Sequence, residues 1–318
     1  MKLSKMFLVL SLVIGLIMVA GSVKAATSYD NVPGEIVAGI WVCTKGDIET
    51  VFMIKNTNNV GTSTTPLKFH YGIYDENSDE LTDGILKFTA YDSTGLVLKV
   101  KSDGDLYLIT DKYESGGTKE TNIATPTADA DGYYTGYIVI YNTDNISTAS
   151  NPIAMSSSIY AASEKWYTGL NCISVQDETV TSLDAARSAL DANLKEGTWF
   201  GRWYSEKDNY WKGAFLLCCP GDKDSKDKYS ITGENYDENE KYQSFTRTIK
   251  EVERVPIKSE YTNKSNWIPV YSDANSGWIH IKSAKSATDN ETVGMFGFFI
   301  LEKSDTNAAD VLPLWHSE

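Results

Sequence analysis

The sequence predicts an all-β chain of two tandem antiparallel β-sandwiches, read as a duplication and joined by a short helix. Three observations carry this. Apolar residues alternate with polar ones over short segments, the period-two pattern of half-buried strands. Turn-rich stretches such as NTNNVGTSTTP and DENSDELTDG separate those segments. Helical spacing is nearly absent, and the segment that has it divides the chain into two halves with shared motifs.

The chain opens with MKLSKMFLVLSLVIGLIMVAGSVKAATSYD. Lys2 and Lys5 precede an apolar run from Met6 to Ala20, and Val23-Lys24-Ala25 supplies the small residues of a signal-peptidase site. Residues 1–25 therefore read as a signal peptide, with cleavage after Ala25 or Ala26. Removing them takes away three lysines and no acid, which carries the formal charge from −14 to −17. So acidic a surface disfavours nucleic acid and anionic membranes, both of which need a basic footprint. The expected location is secreted or cell-surface, with no membrane association after cleavage.

In the mature chain, Leu67, Phe69, Tyr71 and Ile73 alternate with polar or small residues, as do Leu96, Leu98 and Val100 with Lys99 and Lys101. These are strands with one face in a core. The continuous runs VFMI (51–54), YIVIY (137–141) and MFGFFIL (295–301) read as strands buried on both faces. In TSLDAARSALDANLKEG (181–197), Leu183, Ala186 or Arg187, Leu190 and Leu194 recur at helical spacing. Thr181 with Asp184 can form a capping-box variant, and Gly197 can close the end. This segment is the expected connector between a first domain, 26–180, and a second, 198–318.

The halves share three motifs in the same order. Gly39-Ile-Trp41 recurs as Gly201-Arg-Trp203, and Tyr74-Asp-Glu-Asn77 as Tyr236-Asp-Glu-Asn239, both at an offset of 162. Gly136-Tyr-Ile-Val-Ile140 is matched by Gly297-Phe-Phe-Ile-Leu301 at 161.

The stretch LKFTAYDSTGLVLKVKSDGDLYLITDKYES (86–115), with VFMIKNT before it and GYIVIYN after it, resembles a loose group of exported microbial surface proteins. The resemblance rests on strand spacing plus Asp92, Gly104 and Asp111, and it covers mainly the first half. It implies an all-β surface protein of no established activity and transfers no catalytic residue.

Export exposes thiols to oxidation, so four cysteines suggest two disulfides. Cys43 follows the first strand of the first half and Cys172 lies in its last, so a Cys43–Cys172 bridge is expected, leaving Cys218 and Cys219. Neighbours within a strand point to opposite faces, but at the strand end before Pro220-Gly221 a strained vicinal bridge could form. Inter-domain bridges and free or intermolecular thiols are the alternatives. No C-x-x-C motif occurs, so a thioredoxin-type redox site is not indicated.

No catalytic motif emerges. His70, His280 and His316 lack a second histidine at metal spacing, and neither H-E-x-x-H nor G-x-S-x-G occurs. Carboxylates are too abundant for any one pair to stand out as glycosidase residues. Asp75, Asn77, Asp79 and Asp83 fit EF-hand positions 1, 3, 5 and 9, but Glu80 replaces the glycine and Leu86 the closing glutamate. A looser calcium site is the remaining metal candidate there, at Asp129/Asp131, or at Asp222/Asp224/Asp227; no cofactor is expected. Trp199, Trp203, Tyr204, Tyr210 and Trp211 form an aromatic cluster suited to sugar stacking, to an interface or to a core. Asn145, Asn263 and Asn290 head N-glycosylation sequons. The expected function is non-catalytic: a structural or adhesive surface protein, a fibre or layer subunit, associating with itself or with other surface proteins. The alternative is a carbohydrate-binding module or glycan-active enzyme with glycans as partner.

Overall fold

The computed structural model describes residues 27–28, 32–110, 119–144, 151–161, 163, 166–170, 172–176, 178–195, 198–204, 211–221, 228–259, 268–270, 274–303 and 308–317. The chain is all-β with one helix. The first half contains β1 (Thr27–Ser28), β2 (Ile36–Thr44), β3 (Ile48–Asn56), β4 (Leu67–Asp75), β5 (Glu80–Phe88) and β6 (Ser93–Val100). It continues with β7 (Leu106–Thr110), β8 (Lys119–Ala124), β9 (Tyr133–Asn142), β10 (Ile153–Ala161), β11 (Trp166–Leu170) and β12 (Ile173–Val175). After helix α1 (Leu183–Leu194) come β13 (Thr198–Tyr204), β14 (Trp211–Cys218), β15 (Tyr229–Asp237), β16 (Tyr242–Ile249) and β17 (Val252–Ser259). The last strands are β18 (Ile268–Val270), β19 (Ser276–Ser286), β20 (Phe296–Lys303), β21 (Ala308–Pro313) and β22 (Trp315–Ser317).

Each half pairs two sheets. In the first, β1-β12-β2-β9-β4-β5 faces β11-β10-β3-β6-β7-β8; in the second, β22-β13-β19-β15-β16 faces β21-β20-β14-β17-β18. The order of places recurs, with β1 and β8 added in the first half and β18 running in the opposite sense to β7. Every pairing is antiparallel except β17 with β18. Leu67, Phe69, Tyr71 and Ile73 point into the first core with Leu96, Leu98 and Val100, as their alternation predicts. VFMI corrects an expectation: Phe52 and Ile54 are buried but Met53 is 49% exposed, so β3 has one core face. YIVIY and MFGFFIL are buried throughout.

One device sits at the same place in both halves. Trp41 on β2 and Asp75 on β4 flank Gly136 on β9, and Trp203 on β13 and Asp237 on β15 flank Gly277 on β19. A Cβ on either glycine would overlap the tryptophan ring and the carbonyl of Tyr74 or Tyr236. Bare backbone is what lets a large ring lie across the sheet. The counterpart of Gly136 is therefore Gly277. Gly297 lies on β20, whose place in sheet order corresponds to β10, so the third motif match joins unlike strands. Buried strands draw on the same few residue types, and such runs match without correspondence.

Helix α1 starts at Ser182, whose Oγ accepts the Ala185 N–H at 3.1 Å, rather than at the expected Thr181. Leu183, Ala186, Arg187, Leu190 and Leu194 are buried on one side. They pack on the outer face of the β2-β9-β4 sheet, joining Ile36, Ala38, Ile40 and Val139 to the second core as one apolar cluster. The helix thus fills a seam between the sandwiches and is more than a connector. Lys250 pairs with Glu76 at 3.1 Å, and Arg254, itself buried, pairs with Asp131 at 2.8 Å, closing the seam's rim.

Candidate functional site

The outer face of the β16-β15-β19-β13 sheet carries a row of aromatic side chains. Strand alternation puts Trp199, Trp203, Ile279 and Ile281 inward, which leaves Phe200, Tyr204, Trp278 and His280 outward. Register then aligns the row: Tyr242 opposes Tyr236, and Tyr236 opposes Trp278. Tyr236 and Trp278 stack at 3.9 Å between ring centroids with planes 2° apart, and Tyr242 lies 5.8 Å beyond. On the other side Phe200 approaches Trp278 at 6.4 Å and stacks on His280 at 4.3 Å. Tyr242 is 58% exposed and Trp278 38%.

Polar groups brace the row. The Tyr236 hydroxyl donates to Glu234 at 2.8 Å, and Lys282 pairs with the same carboxylate. Hydrogen bonds from Lys282 and Tyr236 hold the Glu234 carboxyl below the usual range. Burial, then the Lys282 charge, lowers the His280 pKa, so its imidazole stays neutral further down the pH scale. Tyr236 stacks on Trp278 and Phe200 on His280, whereas the Tyr236–Tyr242 and Phe200–Trp278 pairs are tilted by 34°. A sugar ring needs an open aromatic face, and Tyr and Trp side chains also anchor protein contacts.

The corresponding positions of the first sandwich are covered. Tyr74 and Tyr137 stack there at 4.8 Å, as Tyr236 and Trp278 do. Over them lies the Arg187 guanidinium, 4.8 Å from the Tyr74 ring and 5.9 Å from that of Tyr137, with its Nε donating to the Pro220 carbonyl at 3.1 Å. Leu183 fills the space above Gly72.

The aromatic cluster expected from sequence is split by the strand. Trp199 and Trp203 are core residues and only Tyr204, 43% exposed, reaches solvent; Tyr210 and the Trp211 side chain lie outside the described residues. Asp75 Oδ1 accepts the Asn77 and Asp79 N–H groups at 2.8 and 2.9 Å, and Asp237 does the same for Asn239 and Lys241. The YDEN motif is therefore a hairpin turn, and Asp83 instead bonds His70 at 2.8 Å. Asp129 closes a similar turn with Asp131 and Tyr133, while Asp222, Asp224 and Asp227 lie outside the described residues. Among the described residues, no group of three or more His, Cys, Asp or Glu side chains is placed to hold a metal ion.

The disulfide expectation is corrected: all four cysteines are free and buried. Although β12 does pair with β2, Cys172 sulfur lies 3.1 Å from where a Gly39 Cβ would stand. Cys43 is four residues further along β2, about 13 Å away, far beyond bonding reach. Cys43 instead donates to the Leu98 carbonyl at 3.2 Å. Cys219 N–H donates to the Glu251 carbonyl at 2.8 Å, so the ladder continues past Cys218 and the adjacent thiols stay on opposite sides. Burial pushes Cys43 and Cys172 up to about 12. Of the sequons, Asn290 is exposed in a turn, and Asn145 and Asn263 lie outside the described residues.

Sequence reasoning missed Tyr236, Tyr242, Phe200 and Arg187 as surface or seam residues. One signal was available: Trp278, His280 and Lys282 alternate onto one side of SGWIHIK, leaving a tryptophan beside a lysine. Compared with known protein families and with curated proteins, the sequence matches none.

Proposed function

We propose that this chain is exported and works outside the cytoplasm as a non-catalytic structural or adhesive protein, a subunit of a fibre or layer. The observation that carries this reading is the partly exposed Tyr242–Tyr236–Trp278–Phe200 row on a braced sheet face. Interfaces are enriched in Tyr, Trp and Arg, and an aromatic row left in water marks a surface that gains free energy by being covered. The leader-like residues 1–25 and the acidic charge support the location. Among the described residues no helix is long and apolar enough to cross a membrane. The test expresses the full chain, purifies the exported product, and reads its mass and its assembly by sedimentation and electron microscopy. Assemblies, or adhesion to a cell surface, are expected from a product beginning at Ala26 or Thr27. Sugar-competed retention on an insoluble polysaccharide would instead favour a carbohydrate-binding module.

A further inference from the structure

The contact between the two sandwiches supplies a template for a contact between chains. Inside the chain, the sheet face bearing Tyr74 and Tyr137 meets the end of the second sandwich that carries Pro220, Glu251 and Val252. Arg187 reaches Pro220, and Val252 N–H donates to the Glu76 carbonyl at 3.2 Å. That end is tied by the Cys219-to-Glu251 backbone bond. The first sandwich has the matching end, where Asn56 N–H donates to the Asp92 carbonyl at 2.9 Å, since β3 and β6 hold the places of β14 and β17. It is well braced: buried Asn56 donates through Nδ2 to the carbonyls of Val60 at 2.8 Å and Thr89 at 2.9 Å. Its tip is Tyr91, held at φ 58° and 61% exposed.

We infer that the Tyr91 end of one copy docks on the Tyr242–Tyr236–Trp278–Phe200 row of the next, repeating between chains the face-to-end part of the contact made within one; the edge contact of β11 with β21 is already made inside each chain. The inference rests on the reading of this protein as an assembly subunit. The occupant is a second copy because this kind of face already mates with this kind of end inside the chain. Side-chain size supports the fit. Phe200, Arg202, Tyr204 and Trp278 stand where the first sandwich has Ala38, Ile40, Val42 and Tyr137, by the shared register. Their added bulk stands where helix α1 lies over the first sandwich. Joining two unlike patches makes a heterologous contact, which propagates as a filament or closes as a ring.

The test uses the exported full-chain product with Trp278→Lys and, separately, Tyr91→Lys, followed by sedimentation velocity and electron microscopy. Tyr91 is 61% exposed, so Tyr91→Lys should melt within about 2 °C of wild type, whereas Trp278→Lys, which also loses the stack on Tyr236, should melt about 2–6 °C lower and still fold. Arg202→Glu, also outward, replaces Trp278→Lys if that variant misfolds. Wild type should assemble with rising concentration, and each variant should weaken association by about 30-fold or more, as loss of an aromatic anchor does. An equimolar mixture of the two variants should give dimers and nothing larger, because each retains one intact patch. Variants that assemble like wild type, or a mixture without dimers, would overturn the inference and leave the subunit reading standing. A wild type that stays monomeric also overturns it, and one that is in addition retained on polysaccharide sinks the subunit reading as well.

Discussion

Replacing Arg187 with alanine should open the seam between the sandwiches. The side chain is 5% exposed, donates to the Pro220 carbonyl at 3.1 Å, and lies over the Tyr74 and Tyr137 rings. A hydrogen bond from a charged donor contributes about 1.5–3 kcal/mol, and a desolvated cation–π contact about 1–2 kcal/mol. Relief of the guanidinium's own desolvation offsets part of that sum. The net loss should be about 3 kcal/mol. At roughly 2–4 °C of melting temperature per kcal/mol, the seam transition should fall by roughly 6–12 °C. Arg187→Met, which keeps an apolar stem over the rings, should recover about a third of the loss. Calorimetry and urea unfolding followed by tryptophan fluorescence measure the change. A double-mutant cycle with Tyr137→Leu should return a coupling of about 1 kcal/mol. An Arg187→Ala chain within about 0.5 kcal/mol of wild type, with no coupling, would refute the clamp.

Three further outcomes follow from the same geometry. Trp41 Nε1 donates to the Tyr74 carbonyl at 3.0 Å, whereas Trp203 Nε1 has no partner among the described residues; Trp41→Phe should therefore cost about 1 kcal/mol more than Trp203→Phe in urea unfolding, and equal costs would contradict this. The four thiols should resist alkylation in the folded chain and react only as it unfolds, because at pH 8 a thiol of pKa about 12 is ionised only to about one part in ten thousand. An intact mass about 4 Da light, the signature of two disulfides, would show the thiols to be oxidised. His280 has its pKa depressed on folding, so its contribution to stability is present above its ordinary value of 6.5 and lost as pH falls through the folded value. Melting temperatures across pH 7 to 4 should decline more steeply for wild type than for His280→Gln, and parallel curves would contradict the shift.

The all-β class was legible because a strand announces itself locally: Leu67 to Ile73 and Leu96 to Val100 carry their core faces in their own alternation. Helix α1 and its buried side were legible for the same reason, as were the Trp41 and Trp203 positions, since a recurring spacing needs no three-dimensional information. Alternation does not say which strand lies opposite which. The pairing of Gly136 with Trp41, and hence its correspondence to Gly277 rather than Gly297, depends on register between residues far apart in sequence. Register also separated Cys172 from Cys43 by four residues of strand, a distance no cysteine count reveals. Burial of a strand's second face was decided by neighbours: Met53 stays exposed within an apolar run while Ile36, Ala38 and Ile40 are buried in the apolar cluster that joins helix α1 to the second core. The aromatic row is the clearest case. Tyr236, Tyr242, Trp278 and Phe200 come from three strands and become one surface only when the sheet forms. The same residue type is buried at Tyr74, where helix α1 and the second sandwich pack over it, and partly exposed at Tyr236.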